Sequence, residues 1–513
     1  MGRGPVTHVS LDQLTSWDAD WAGLRVVVAG LGLSGFSAAD TLIELGARVV
    51  VVDGSDTAEN RSRADTLEIV GAAAVLLGTE HQDRLPEVDG QAAELVVASP
   101  GWNPRHPVLA DAAERGIPVW GDVELAWRVR ERAGRRTAEW LVVTGTNGKT
   151  TTVGMTASIL AAAGLRAVAV GNVGTPILDA IRDPEGFDVL AVELSSFQLH
   201  HTHSISPLAS VVLNVAEDHV DWHGSYADYL AAKARIYERT RVAAVYNAEQ
   251  RETERMVEEA DVVEGCRAIG FTTNVPGLSM LGVVDGLLVD RAYVEDRTTS
   301  AAELAALTDL GEVVPRHTAA NALAAAALVR AYGVEPVAVR DGLRGFDPGA
   351  HRIQAVARRD DILWVNDSKA TNPHAAAASL GAFEHVVWIA GGLSKGVEYE
   401  ELVEAHASRL RAVVLIGTDT AGLRAALRRH APDVPVIGPG VRETGSETAT
   451  EAGEARGWTV MAEAVAAAAD VARPGDTVLM APAAASMDQF ASYAHRGNAF
   501  IDAVRNVMEQ TPS

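Results

Sequence analysis

The segment LVVTGTNGKTTT, residues 141 to 152, holds the residue types that bind a nucleotide phosphate. Successive backbone N–H groups across Gly145, Thr146, Asn147 and Gly148 can wrap phosphate oxygens, and Lys149 can neutralise β/γ charge. The Thr150 hydroxyl can ligate Mg²⁺. Val143 stands where the full G-x-x-x-x-G-K-[ST] pattern has its first glycine, so the match is incomplete. Taken alone, the segment could be a capped helix start with an exposed lysine. The strand pattern before it and the helix pattern after it favour ATP.

Three more residues could complete a metal centre. Glu193 ends the run VLAVE, His219 follows VVLN within NVAEDH, and Lys233 lies in DYLAAKARIY. Strand ends at the carboxyl edge of a parallel sheet face one crevice, so these positions and the phosphate loop can converge. Lys233 is the misfit, because an ammonium cannot bind a metal. A second glycine pattern, Gly30-x-Gly32-x-x-Gly35, follows RVVVAG, and Asp53 ends the next strand, as a dinucleotide fingerprint requires. That motif does not settle whether the nucleotide is NAD. A dehydrogenase would leave the phosphate loop without a purpose. A P-loop switch would use it, but would need no second substrate.

The elements that position these residues read as alternating β and α. The N-terminal alternation runs to GIPVWGDVELAW, and a charged, helix-compatible stretch, RVRERAGRRTAEW, leads into the phosphate loop. A second break falls at GLRGFDPGAHR, where Gly and Pro cluster. Beyond it ILWVNDS, HVVWIAGG, RAVVLIG and DTVLMAP read as four strands separated by helices. The expectation is three α/β domains with parallel sheets, at residues 1–134, 135–347 and 348–513. The acidic stretch GPGVRETGSETATEAGEARGW, around residues 441–456, lacks apolar periodicity and reads as a solvated loop.

Composition narrows the class. A formal net charge of -24 over 513 residues argues against general affinity for nucleic acid. No run approaches the ~18 apolar residues of a membrane span, and MGRGPVTHVSLDQL does not read as a signal peptide. With Cys266 alone no internal disulfide can form, which fits a reducing cytoplasm.

TGTNGKTTT, ELSSFQL, NVAEDHVDWH, YLAAKARIY, HRIQ, NDSKATN and SMDQFASYAHRGNAF occur in that order between Gly30 and about Phe500. In this the chain resembles the Mur ligase family. The resemblance implies a Rossmann-like N-terminal domain, a central P-loop ATPase-like domain and a Rossmann-like C-terminal domain. It implies amide-bond formation in peptidoglycan precursors: ATP phosphorylates a carboxylate, an amine attacks the acyl phosphate, and phosphate leaves a tetrahedral intermediate. NDSKATN and SMDQF…RGN resemble the branch that adds D-glutamate to UDP-N-acetylmuramoyl-L-alanine. Sister ligases that add other amino acids, or glutamate to folate, are the near alternatives.

By matching position, the resemblance implies roles. Gly30, Gly32, Ser34, Gly35 and Asp53 would hold the uridine end of the sugar nucleotide, with Ser99, Pro100, Gly101 and Asn172 along its pyrophosphate and sugar. Gly54-Ser55 stands where the family often has an arginine, and Thr318 where relatives can have asparagine. Gly145 to Thr151, Asn321, His351, Arg352, Asp367 and Lys369 would bind ATP. Thr371, Lys395, Ser486, Met487 and Tyr493 would bind D-glutamate. Lys149, His219, Lys233 and Lys369 would serve catalysis. Two Mg²⁺ ions are implied, on Thr150, Glu193, His219 and Lys233, the last carbamylated by CO₂. A monomer whose domains close on the substrates is expected.

Overall fold

The structure is a computed structural model that describes residues 10–172, 174–311, 314–394, 397–438 and 451–510. Its described residues form two compact units, one of residues up to 311 with 318–346, the other mainly of 347 onward.

The first unit holds two sheets. Strands β1 (Arg25–Ala29), β2 (Arg48–Asp53), β3 (Ala74–Leu77), β4 (Leu95–Ala98) and β5 (Val119–Gly121) form a parallel sheet in the order β3-β2-β1-β4-β5. RVVVA and RVVVVD are continuous β-branched runs because both faces of a parallel sheet are covered. The order reverses between β1 and β4, which places the Gly30 turn and Ser99 side by side at the carboxyl edge.

The second sheet contains β6 (Glu139–Thr144), β7 (Ala167–Gly171), β8 (Val189–Glu193), β9 (Ala209–Val212), β10 (Ala243–Asn247), β11 (Arg267–Phe271), β12 (Met280–Val284), β13 (Leu287–Asp290) and β14 (Ala302–Ala306). The order is β14-β13-β12-β11-β10-β9-β6-β8-β7. β6 lies between β8 and β9, so Thr144, Glu193 and Val212 end side by side. The sheet is not wholly parallel as expected: β12, β13 and β14 pair antiparallel. The tight Asp285-Gly286 turn, with both residues at positive φ, makes that reversal.

The two sheets share one core. Val26, Val28, Val49 and Val97 of the first sheet and Val142, Leu190 and Val192 of the second belong to a single buried cluster. Trp127 meets Trp140 edge to face at 5.1 Å between ring centroids. Buried Glu124 accepts from Arg128 Nε at 2.7 Å and from Ser204 Oγ at 2.6 Å, tying helix Asp122–Val129 to the loop before β9. The stretch RVRERAGRRTAEW is helical only as far as Val129; beyond it Gly134 takes positive φ and the arginines spread into ion pairs and ring contacts.

In the other unit, β15 (Gln354–Arg359), β16 (Ile362–Asn366), β17 (Val386–Ala390), β18 (Leu410–Leu415), β19 (Val436–Ile437) and β20 (Thr477–Met480) lie in the order β15-β16-β20-β17-β18-β19. The four runs picked out beyond the second break are β16, β17, β18 and β20, all parallel. β15 is antiparallel to β16, an edge that the parallel expectation missed. Part of the acidic stretch is also corrected. A helix spans Glu451–Val471 and includes Glu451 and Glu454, whereas Glu443 and Glu447 lie outside the described residues. Met461, Ala464, Val465 and Ala468 bury its far end, so packing downstream extends helix into a segment with no apolar pattern of its own.

Arg496 is 0% exposed, in helix Tyr493–Gln510. Its guanidinium donates to Ser368 Oγ at 3.0 Å, Ser368 O at 3.0 Å and Ala484 O at 3.1 Å, and burial pulls it down to about 10. It therefore stays charged at neutral pH and joins the NDSKATN loop to the loop before Ser486. Arg496→Leu should lower unfolding stability by about 2 kcal/mol or more, because three acceptors lose their donor in a dry interior. An unchanged urea midpoint would show the guanidinium to be dispensable.

Candidate active site

The phosphate loop joins β6 to helix Lys149–Ala162. Gly148 caps that helix at φ 85°, and a Cβ there would stand 2.5 Å from Asn321 Oδ1, so glycine is required on both counts. The loop is pinned from β9's side. Asn147 N donates to Asn214 Oδ1 at 2.9 Å, Asn214 Nδ2 returns a bond to Asn147 O at 3.0 Å, and Thr146 Oγ1 lies 2.8 Å from Tyr229 Oη. Thr150 and Thr151 occupy the first helical turn, partly buried.

Lys149 Nζ donates to Gly145 O at 2.9 Å and Thr146 O at 3.1 Å. Lys233 Nζ donates to the same Gly145 O, also at 2.9 Å, and lies 3.5 Å from Thr144 Oγ1. Lys233 is 2% exposed, near the end of helix Tyr226–Ala234, its amine 4.7 Å from the Tyr229 ring centroid. Desolvation first, and then Lys149, push the Lys233 ammonium well below its ordinary range, while Asp218 and Glu193 oppose the shift. Desolvation also lowers Lys149, against Glu193 and Asp218. Two amines and two carboxylates thus form one electrostatic group. Asp218 escaped the sequence reading; only its place beside His219 could have signalled it.

Glu193 Oε1 accepts from Asn172 Nδ2 at 3.2 Å, while Oε2 is buried without a hydrogen-bond partner. An orphaned carboxylate oxygen at the end of the strand next to β6 is a hard donor, which fits Mg²⁺. His219 caps the short helix Val220–His223 at φ 52°, its side chain 49% exposed and its ring 4.8 Å from that of Phe197. Among the described residues no three His, Cys, Asp or Glu side chains already form a metal cage.

At the first sheet's edge, Gly30 (φ 102°) and Gly35 pack against Ser99, whose buried Oγ has no partner. Around Gly32 and Gly101 a Cβ would meet nothing within 4 Å, which leaves an open face beside Ser34 and Pro100. Trp102 Nε1 comes as close to Gly30 as Ser99 Oγ does, a neighbour that the glycine pattern could not reveal. Asp53 is engaged internally, accepting from Leu31 N and Ser55 N at 2.7 Å each. Asp122 links this sheet to the end of β8: Gln198 Nε2 donates to its Oδ2 at 3.2 Å, and Gln198 completes the capping box on Ser195, two residues after Glu193.

The other unit gathers its own group. His351 is buried at φ 68° and its Nδ1 accepts from Asn366 Nδ2 at 2.9 Å, while Lys369 N donates to His351 O. Buried Asp367 accepts from Ser379 Oγ and from Ile353 N, and desolvation raises its carboxyl to about 6. Arg352 is partly buried next to His351 and lowers that carboxyl in opposition. Lys369 Nζ sits 3.9 Å from the Tyr493 ring centroid. Thr371 precedes the Asn372-capped helix, Ser486 is buried, and Met487 and Tyr493 are exposed. Lys395 lies outside the described residues.

Comparison with known proteins agrees along the whole chain. The MurD-like N-terminal domain model of the Mur ligases matches residues 24–121, the Mur ligase middle domain 143–329, and the Mur ligase glutamate ligase domain 351–484. The UDP-N-acetylmuramoylalanine–D-glutamate ligase of Streptomyces coelicolor is 55% identical, over 95% of this chain and 99% of its own. Its namesake from Leifsonia xyli is 52% identical, over 97% and 95%. Among solved structures, a pseudomurein peptide ligase type C from Methanothermus fervidus aligns with a TM-score of 0.54 at 16% identity, covering 94% of this chain and 100% of that one. MurF ligase from Thermotoga maritima, solved with ADP, gives 0.52 at 17% identity, covering 97% and 99%; at such identities these two speak for the fold alone. With three consecutive domain matches and full-length relatives above half identity, this chain belongs to the Mur ligase family.

Proposed function

We propose that the chain is an ATP-dependent ligase that joins D-glutamate to UDP-N-acetylmuramoyl-L-alanine in peptidoglycan precursor synthesis, and so serves cell wall, cell shape and division. The observation that carries the reading is the pair of lysine amines on Gly145 O beside the orphaned Glu193 oxygen. A loop that merely held phosphate and its metal would need one amine, not two. The D-glutamate branch is supported by relatives of that name above half identity. ATP and a nucleotide sugar as substrates place the reaction in the cytoplasm. Phosphate release that requires both the sugar nucleotide and D-glutamate supports the ligase; release from ATP alone would favour a P-loop switch.

A carboxylate is a poor electrophile and its mixed phosphoric anhydride a good one, so the chain must direct the γ-phosphoryl onto the sugar-linked alanine. Gly30, Gly32, Ser34, Gly35, Asp53, Ser99, Pro100, Gly101 and Asn172 hold the sugar nucleotide. Gly145 to Thr151, with Asn321, cradle ATP, and His351, Arg352, Asp367 and Lys369 complete its contacts. Lys149 leaves the loop carbonyls for phosphate oxygens and offsets charge as the phosphoryl moves. Thr371, Lys395, Ser486, Met487 and Tyr493 orient D-glutamate so that its amine meets the acyl phosphate carbon; the nitrogen gives up a proton, the carbon–oxygen bond to phosphate breaks, and phosphate leaves with that electron pair.

Two Mg²⁺ ions would neutralise the transferring phosphoryl, one held by Thr150 and Glu193, the other by His219 and a modified Lys233. The neutral Lys233 amine attacks CO₂; an N–C bond forms, one C=O pair moves onto oxygen, and nitrogen releases a proton. The anionic carbamate sets a negative charge beside Lys149 and supplies hard oxygen ligands. Its setting, dry and beside Lys149, supports this reading.

Two outcomes follow. Lys149→Ala should cut kcat by roughly 10²–10³ while sugar-nucleotide affinity holds, as for loss of one charge-stabilising group; near-normal turnover would reduce Lys149 to a helix-start residue. Lys233→Ala should abolish nearly all activity and recover part of it with formate or acetate. Rescue by small amines, or an intact mass showing plain lysine in fully active protein, would rule the carbamate out.

A further inference from the structure

The corner where β2 and β3 end holds a half-buried carboxamide with nothing to bind among the described residues. Asp53 and Leu77 are register partners, and Gly78 N donates to Asp53 O at 2.9 Å, so the turn after β3 folds over the end of β2. Around that corner the polar groups are spent on one another. Asp53 holds Leu31 N and Ser55 N, Asn60 Nδ2 holds Ser55 O at 2.9 Å, and Arg63 reaches Leu31 O at 3.2 Å and Glu59 at 2.6 Å. Gln82 is the exception. Its half-buried carboxamide makes no hydrogen bond among the described residues. It lies flat against Gly54, where a Cβ would stand 2.5 Å from Nε2 and 2.6 Å from Oε1. The bare Gly54 is therefore a seat for that amide.

We propose that Gln82 reads the uracil ring of the sugar nucleotide, an assignment that rests on the sugar-nucleotide reading given above. With the pyrophosphate at the Gly30–Gly35 turn and the start of helix Leu33–Glu44, a nucleotide laid along this edge passes Asp53 at its ribose and ends at the β2–β3 corner. Uracil offers a donor at N3–H flanked by the acceptors O2 and O4. A carboxamide is its complement: Oε1 accepts from N3–H while Nε2 donates to a neighbouring carbonyl oxygen, two parallel bonds from one side chain. Gly54-Ser55 has no cation to lay on the base, so recognition at this corner passes to a neutral, bidentate group.

The test is competition of UDP and of UDP methylated at uracil N3 against UDP-N-acetylmuramoyl-L-alanine, read as ADP release. In the wild-type chain, methylation should weaken competition about tenfold, the scale of one bidentate amide–base pair. Gln82→Leu should raise KM for the sugar nucleotide about tenfold, leave KM for ATP in place, and erase the penalty for methylation. Gly54→Ala, which displaces the amide while keeping Gln82, should erase it too. A methylation penalty that persists in both variants, or a wild-type KM in Gln82→Leu, overturns the assignment alone. Failure of UDP itself to compete in the wild-type chain removes the sugar-nucleotide reading, and Gln82 with it.

Discussion

Two lysine amines donate to a single backbone oxygen, Gly145 O, and much of the first unit is arranged so that this crowded contact can exist. Like charges at such a distance in a dry edge repel strongly, since the low local dielectric that strengthens attraction strengthens repulsion equally. The fold answers with carboxylates nearby: Glu193 and Asp218 each oppose the shifts of both lysines. It also answers by rigidity. The carbonyl can accept twice only if the loop does not turn away, and the reciprocal Asn147–Asn214 bonds together with the Thr146–Tyr229 contact hold it.

That rigidity extends into the N-terminal sheet through the shared core. Trp127 against Trp140, and the bonds from Glu124 to Ser204, make the first two sheets one body rather than two loosely linked ones. Ser37 donates to Asp179, and Arg182 pairs with Asp40 and Glu44, so the helix that opens with the glycine turn is fastened to helix Ile177–Arg182. Under the proposed assignment, a phosphoryl acceptor on one sheet and a donor on the other would be positioned by packing rather than by mobile linkers, which is what a reaction dependent on alignment requires.

The other unit solves a similar problem without a carboxylate hydrogen-bonded to the cation; Asp488 opposes the effect of burial on Arg496 only through its charge. Arg496 is buried and satisfied by one hydroxyl and two carbonyls, in a geometry that only a planar fork can span. Asp367 shows the converse. Its carboxyl is raised to about 6 by desolvation although Ser379 and Ile353 donate to it, so hydrogen bonds reduce the cost of burial without cancelling it. That cost sits on the loop that follows β16, where a raised carboxyl marks a candidate functional group.

The sequence by itself determined the parallel strands, the glycine turns and the phosphate loop, because each depends on local steric rules and on contiguous β-branched runs. It marked Glu193, His219 and Lys233 only as strand-end or helix residues, and the family resemblance supplied the roles proposed for them. The antiparallel edges β12–β14 and β15, and the helix that begins at Glu451, were not legible, because neighbours rather than local pattern decide them. Tertiary structure alone decided that Lys149 and Lys233 meet on one carbonyl, that Glu193 keeps an unpartnered oxygen, and that Gln82 rests on Gly54. These residues are 84, 44 and 28 positions from their partners or neighbours in the chain, and linear spacing carries no record of which side chains a folded edge brings within hydrogen-bond reach.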